Sequence, residues 1–282
     1  MMGAHLTIDA RGLGKDYYSH AAFDLLDDAY SFYEFLANAV VSFADGHVIT
    51  GKVSVSSDVY ASIGGTIESI KLLVYTGRLN DVFALTRKLE DALLIDLYKS
   101  ILIKQDEAKI FETDIPLVDL LNDSIIRTWT RDTYKLFGYG KLNDIKNIIK
   151  AEDAHLGILL DFDNDPFRSE CNDNMHYNSW NNFALNVNEW LSLDNRGVKS
   201  LDLIYNILVR LLAIHYSFIY ILHPVYYTAS DYISALEMGE TPEEGSQYWV
   251  ASIVQDILDK YIKTHYKAVA DYLISRNLMQ LE

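Results

Sequence analysis

Side chains able to move protons or hold phosphate crowd most closely between Asp165 and Asn178, where the chain reads Asp-Pro-Phe-Arg-Ser-Glu-Cys-Asn-Asp-Asn-Met-His-Tyr-Asn. Asp165 followed by Pro166 is an N-cap and first-turn pair, so the spacing predicts a helix that starts here and runs through Met175 or beyond. Arg168, Asn172 and His176 then follow one another at steps of four, each rotated by about 40° from the last. A guanidinium, an amide and an imidazole on one slanted stripe can bind a phosphate or move a proton. The same spacing also fits a polar helix end facing water.

Two further segments have the form carboxylate-x-x-His: Glu152-Asp-Ala-His155 and Asp173-Asn-Met-His176. In a four-helix bundle that spacing, used twice with a Glu from each of two other helices, holds a di-iron or di-manganese pair. Forty acidic residues and 8 His make about one such pair expected by chance. No metal and no cofactor is therefore expected, and a di-metal carboxylate bundle remains a further alternative. The acidic run Asp161-Phe-Asp-Asn-Asp165 lacks the Gly and Glu of a calcium loop, since Pro166 and Asn172 stand at the sixth and twelfth positions. Phosphate loops, nucleophile elbows and zinc-peptidase helices are absent. His215 and His223 flank an apolar run and read as hydrogen-bonded core or helix-end residues. Trp180, Trp190 and Trp249 read as core.

These groups need a scaffold, and 282 residues at 50% hydrophobic content can bury a sizeable core. Only 4 Pro and 14 Gly beside 20 Tyr and 11 Phe point to long regular elements filled with aromatic rings. A net charge of -16 argues against a broad nucleic-acid grip. No DNA partner is expected, and an RNA contact would be local. The lone Cys171 excludes an intrachain disulfide and predicts a reducing, cytoplasmic setting. No secretory signal is visible, and the run Leu211 to Leu222 is too short to span a bilayer, so no membrane partner is expected.

Periodicity predicts one all-α domain. Residues 1–20 form an arm, and Ala21 to Phe43 a first helix. Alternation of Val48, Thr50, Val53 and Val55 suggests a short β-hairpin near residues 47–56. Ser57 or Asp58 caps a second helix with Val59, Ile63, Ile67, Ile70 and Val74 inward. Gly77 ends it, and Asn80 caps a third with Val82, Leu85, Leu89 and Leu93 inward, running to about Lys104. The short turn makes the two antiparallel. On the third helix, Arg87 is placed to pair with Glu90 and Asp91. Leu117 to Phe137, Leu142 to Lys150 and Ala154 to Phe162 are shorter helical stretches, and Trp180 to Leu193 is another. Lys199 to Leu222 is the most buried element. Thr241-Pro242-Glu243-Glu244 reads as the capping box of a last helix.

Two features of this chain resemble the HEPN superfamily, the all-helical domains of bacterial toxins, abortive-infection and other antiviral defence proteins. They are the antiparallel pair with its Arg78-Leu79-Asn80-Asp81 turn and Arg87, and the segment Cys-Asn-Asp-Asn-Met-His-Tyr-Asn, within about residues 57–195. The resemblance implies a multi-helix bundle, a homodimer or a partner protein, and a toxin-antitoxin type system. Active members cut RNA without metal, using an Arg, often followed by Asn, and a His four to six residues on. Asn172 and His176 match the last two. Cys171 stands where the Arg belongs, and Arg168 lies one turn further upstream. In a ribonuclease His176 would be general acid or base, Asn172 would orient it and Arg168 would offset phosphorane charge. A catalytically inactive dimerisation, scaffold or sensor protein is the alternative.

Overall fold

The computed structural model describes residues 12–44, 52–112, 141–161, 166–176 and 179–282, and the described residues are overwhelmingly helical, with no strand beyond two isolated bridges. Four long helices carry the bundle: α1 (Ala22–Ala44), α2 (Lys52–Thr76), α3 (Leu79–Glu112) and α6 (Arg196–Leu222). Between and after them come α4 (Lys141–Glu152), α5 (Pro166–Met175), α7 (Ser230–Glu237), α8 (Ser252–Ile257) and α9 (Lys267–Arg276), with shorter helical turns between. The core comes from apolar residues three and four apart. Leu25, Ala29, Phe32 and Leu36 line α1, Ile63, Ile67, Ile70 and Val74 line α2, and Leu89, Leu93 and Leu97 line α3. Leu85 is only partly buried.

α6 is long and apolar enough to cross a bilayer, but its residues Leu211 to Leu222 pack inside the bundle. Buried tyrosines pin its far half. The Tyr227 hydroxyl donates to the Tyr216 carbonyl (2.8 Å) and the Tyr216 hydroxyl to the Val254 carbonyl (3.2 Å). In the arm, Tyr17 is buried and donates to the Val74 carbonyl at 2.6 Å. Such bonds let a large ring be buried without stranding its polar tip.

Several expected boundaries move: α3 runs on to Glu112 rather than ending near Lys104, and the stretch from Ala154 is helical only to Gly157 before a tighter turn over Ile158–Leu160. Residues 52–56 belong to α2 rather than to a hairpin, because Val55, Val59 and Ile63 already follow the helical step of four. Residues 47–51 lie outside the described residues, as do residues 113–140 with most of the expected Leu117 to Phe137 helix. Ser57 is therefore no cap, and its hydroxyl donates to the Ala37 carbonyl of α1 at 3.0 Å. The Thr241 to Glu244 segment is not helical, since Gly245 turns the chain at φ 84° and the last helical run starts at Ser252. Gly77 is the glycine the fold requires: its φ is 70°, and a β-carbon there would lie 2.7 Å from Asn188 Oδ1.

At the bundle centre four polar residues are buried together: Asp96 and Lys99 of α3, His215 of α6 and Tyr33 of α1. His215 Nε2 lies 2.9 Å from Asp96 Oδ2, and Tyr33 Oη lies 3.1 Å from His215 Nδ1. Lys99 bonds the other carboxylate oxygen and lies over the Tyr60 ring of α2. An ionised carboxylate can only accept, so Nε2–H and the ammonium donate to it, and the Tyr33 hydroxyl bonds the other ring nitrogen to complete the chain. Burial pushes the Asp96 carboxyl up, but the Lys99 charge and the bonds from His215 and Lys99 outweigh it and hold the carboxyl well below the usual range. Removing the acceptor strands a buried ammonium and an imidazole. Asp96→Ala should therefore cost about 3–5 kcal/mol, read as a lowered denaturant midpoint. A carboxyl depressed below its unfolded value of about 3.9 contributes stability that is complete above that pH and is lost as pH falls below it. Asp96→Asn should flatten that acid-side loss in a stability-versus-pH titration.

Candidate functional site

α5 carries the predicted stripe, and its burial pattern divides the stripe from the core. Cys171 and Asn174 face inward and are fully buried, while Asn172 and His176 are exposed on the other side, His176 just past the last helical residue. Arg168 lies on the same helix, two residues after its start, and its side chain is outside the described residues. The structure thus brings Asn172 and His176 to one solvent-facing side, one turn apart.

Amides hold the end of α5. Asn80 Nδ2 donates to both the Asn174 carbonyl (3.0 Å) and Asn174 Oδ1 (2.8 Å), and Asn174 Nδ2 donates to the Glu170 carbonyl (2.8 Å). Asn182 Nδ2 donates to the Asp173 carbonyl at 2.7 Å. Two of the carbonyls that a helix C-terminus leaves without an intrahelical donor are thereby met. Asn80 is not the side-chain cap the sequence suggests. Its backbone N–H is itself capped by Asn186 Oδ1 at 3.1 Å, and Leu79 N–H donates to the Leu185 carbonyl at 3.0 Å. Arg78 adds bonds to the Asn186 carbonyl (3.1 Å) and Asn188 Oδ1 (2.9 Å). The turn between α2 and α3 and the segment after α5 are thus one polar lattice.

Where the resembling motif has an Arg, Cys171 packs with its thiol pushed up, chiefly by burial and next by the Glu90 charge. Arg87 is close enough to act on that thiol, but its guanidinium bonds Glu90 Oε2 at 3.0 Å and also pairs with Asp91. Glu90 is fully buried and takes a second bond from Lys146 at 2.8 Å. The expected ion-pair role of Arg87 is observed. His215 is the hydrogen-bonded core residue expected, and half-buried His223, stacked on Tyr226, is pushed down to about 4, mainly by burial. Its imidazole is uncharged at neutral pH. His155 stacks on Tyr272 and Glu152 bonds Lys104 (2.9 Å), and among the described residues no three His, Cys, Asp or Glu side chains gather as ligands.

No protein-family model, curated protein or solved structure matches this chain.

Of the tryptophans expected in the core, Trp190 and Trp249 are half-buried, and the largest departure lies around His176. Trp180, expected in the core, is 75% exposed, with Met175 at 47%, Phe183 at 51% and Val187 at 46%. The expected single helix over Trp180 to Leu193 is two short ones, Trp180–Ala184 and Asn188–Ser192, too short to bury a full apolar stripe. A signal was present. Asn174 to Asn188 contains no charged residue in fifteen, where 23% charged content would give about three, and six of the fifteen are Asn. The inward and outward residues of α5 should separate in mutagenesis. Asn174→Ala leaves the buried Asn80 amide short of an acceptor and should cost about 1–3 kcal/mol, whereas His176→Ala should change stability by under about 0.5 kcal/mol in the same denaturant titration.

Proposed function

We propose that this chain is a HEPN-like helical module that works as a homodimer, in the role of a scaffold or sensor component of a cytoplasmic bacterial defence or toxin-antitoxin system. The observation that carries this reading is the uncharged, amide-rich stretch from Asn174 at the end of α5 to Asn188, with its exposed Met175, Trp180, Phe183 and Val187. Interface centres are depleted in charge and enriched in Trp, Phe and Met. Two copies of a chain of net charge -16 repel one another over most of their surface. An uncharged face is where a second copy approaches at least electrostatic cost, and buried amides keep that face in shape. The burial of Cys171 at the motif's Arg position supports a binding role over a catalytic one.

Sedimentation equilibrium at micromolar concentration should give a dimer for the natural chain and a monomer for the double variant Trp180→Glu, Phe183→Glu, with unchanged circular dichroism. A natural chain that stays monomeric at 100-fold higher concentration would refute the reading.

A second reading, a metal-independent ribonuclease, draws on the exposure of Asn172 and His176 one turn apart on α5. It expects His176→Ala and Arg168→Ala each to abolish RNA cleavage or cell toxicity without lowering the melting temperature, and EDTA to have no effect. An inactive natural chain, whose dimer survives His176→Ala, leaves the scaffold role.

A further inference from the structure

Residues 230–248 leave the bundle as an excursion with a closed neck. Thr228 and Val250 form an antiparallel bridge, the Ala229 N–H donates to the Trp249 carbonyl at 2.7 Å, and the Ala251 N–H to the Tyr227 carbonyl at 2.9 Å. Beyond that neck, α7 is eight residues long and buries none of them. Its C-terminus is nonetheless formally closed. Gly239 adopts φ 72°, the Glu240 N–H donates to the Ala235 carbonyl at 2.8 Å, and the Gly239 N–H to the Leu236 carbonyl at 3.0 Å. A helix this short is marginal in water by itself, and most helical stability in proteins comes from covering an apolar face. Here that face is only partly covered: Tyr232, Ile233 and Ala235 are half-buried, and the apolar side chains that follow stay in water. Leu236 is 51% exposed, Met238 73% and Tyr248 51%.

The charge carried by this excursion has one sign. Asp231, Glu237, Glu240, Glu243 and Glu244 are the only ionisable acids or bases other than tyrosine between Ser230 and Tyr248, and all five are exposed. None of them forms a salt bridge with the described residues.

We infer that this excursion is a docking surface for a partner protein segment that combines Lys or Arg with aliphatic side chains, such as one face of a basic amphipathic helix. Leu236, Met238 and Tyr248 supply the apolar contact, and the five carboxylates select a cationic partner and repel wrong ones. A second copy of this chain would bring five more carboxylates against them. An anionic bilayer would be repelled for the same reason. This surface is separate from the uncharged segment after α5, and its occupant is different.

The test uses the full chain and, as probe, a synthetic helical peptide of Leu and Lys at heptad spacing, with binding followed by anisotropy at about 150 mM salt. Two variants weaken the probe if the surface is right: the quadruple Glu237→Gln, Glu240→Gln, Glu243→Gln, Glu244→Gln, and the apolar double Leu236→Ser, Met238→Ser. Each should lose about tenfold or more in affinity. A control quadruple, Glu34→Gln, Glu68→Gln, Asp256→Asn, Asp271→Asn, removes as many exposed carboxylates elsewhere and should lose less than about twofold. The inference is overturned if the control weakens binding as much, which means diffuse charge attraction, or if the apolar double binds like the natural chain. Binding to vesicles of anionic lipid that the apolar double abolishes would overturn it in favour of a membrane. Self-association lost only in the apolar double would overturn it in favour of a second copy.

Discussion

A carboxylate with no exposure to water has to be met by donors from every side, and Asp96 sets this requirement at the centre of the molecule. Lys99 comes from one turn along the same helix, His215 from α6, and Tyr33 of α1 closes the chain of donors behind the imidazole. Tyr60 of α2 covers the ammonium. All four long helices therefore meet at one charge. Apolar packing alone tolerates small rotations of a helix about its axis, whereas a bonded chain of this kind does not. The bundle's register follows from it, and with it the position of every side chain at the α5 end of α3.

The same rule governs the second polar centre. Glu90 is buried six residues before Asp96 on α3 and takes bonds from Arg87 and Lys146, which draws α4 against α3. Cys171 of α5 is close enough for these charges to act on its thiol. Next along α3 towards its start come Asn80 and its bonds to Asn174. One long helix thus displays an ordered series of buried polar groups, each binding a different element. The exposed groups of α5 are fixed at second hand: Asn172 and His176 are held where they are because Cys171 and Asn174 cannot move.

Much of this was legible in the sequence. Steps of three and four gave α1, α2, α3 and α6, and a Pro after a good N-cap placed the start of α5, because these are local properties of the chain. The hairpin expected near residues 47–56 came from β-branched residues in too short a window to tell two periods apart. Trp180 was assigned inward by residue type, although the two short helices around it offer no stripe deep enough to hide an indole. Asn80 reads locally as a cap, whereas the capping by Leu185 and Asn186 that the structure uses instead could not be read. Those partners lie more than a hundred residues apart. In the same way His215 gave no sign of Asp96, since nothing local marks which of 40 acids will meet a given imidazole.

The cap on α3 also bears on how the chain is made. Asn80 N–H waits for an oxygen on Asn186, 106 residues later, and Arg78 for one on Asn188, 110 residues later. At a synthesis rate of about 5–20 residues per second, the α2–α3 pair leaves the ribosome roughly 5–20 s before its closing segment exists. During that interval water has to serve the first turn of α3, and the Gly77 bend is held by local bonds, its own backbone and the Arg78 guanidinium on the Thr76 carbonyl. Completion of this corner is a late event in biosynthesis, and the bundle centre, which waits for His215 of α6, closes later still.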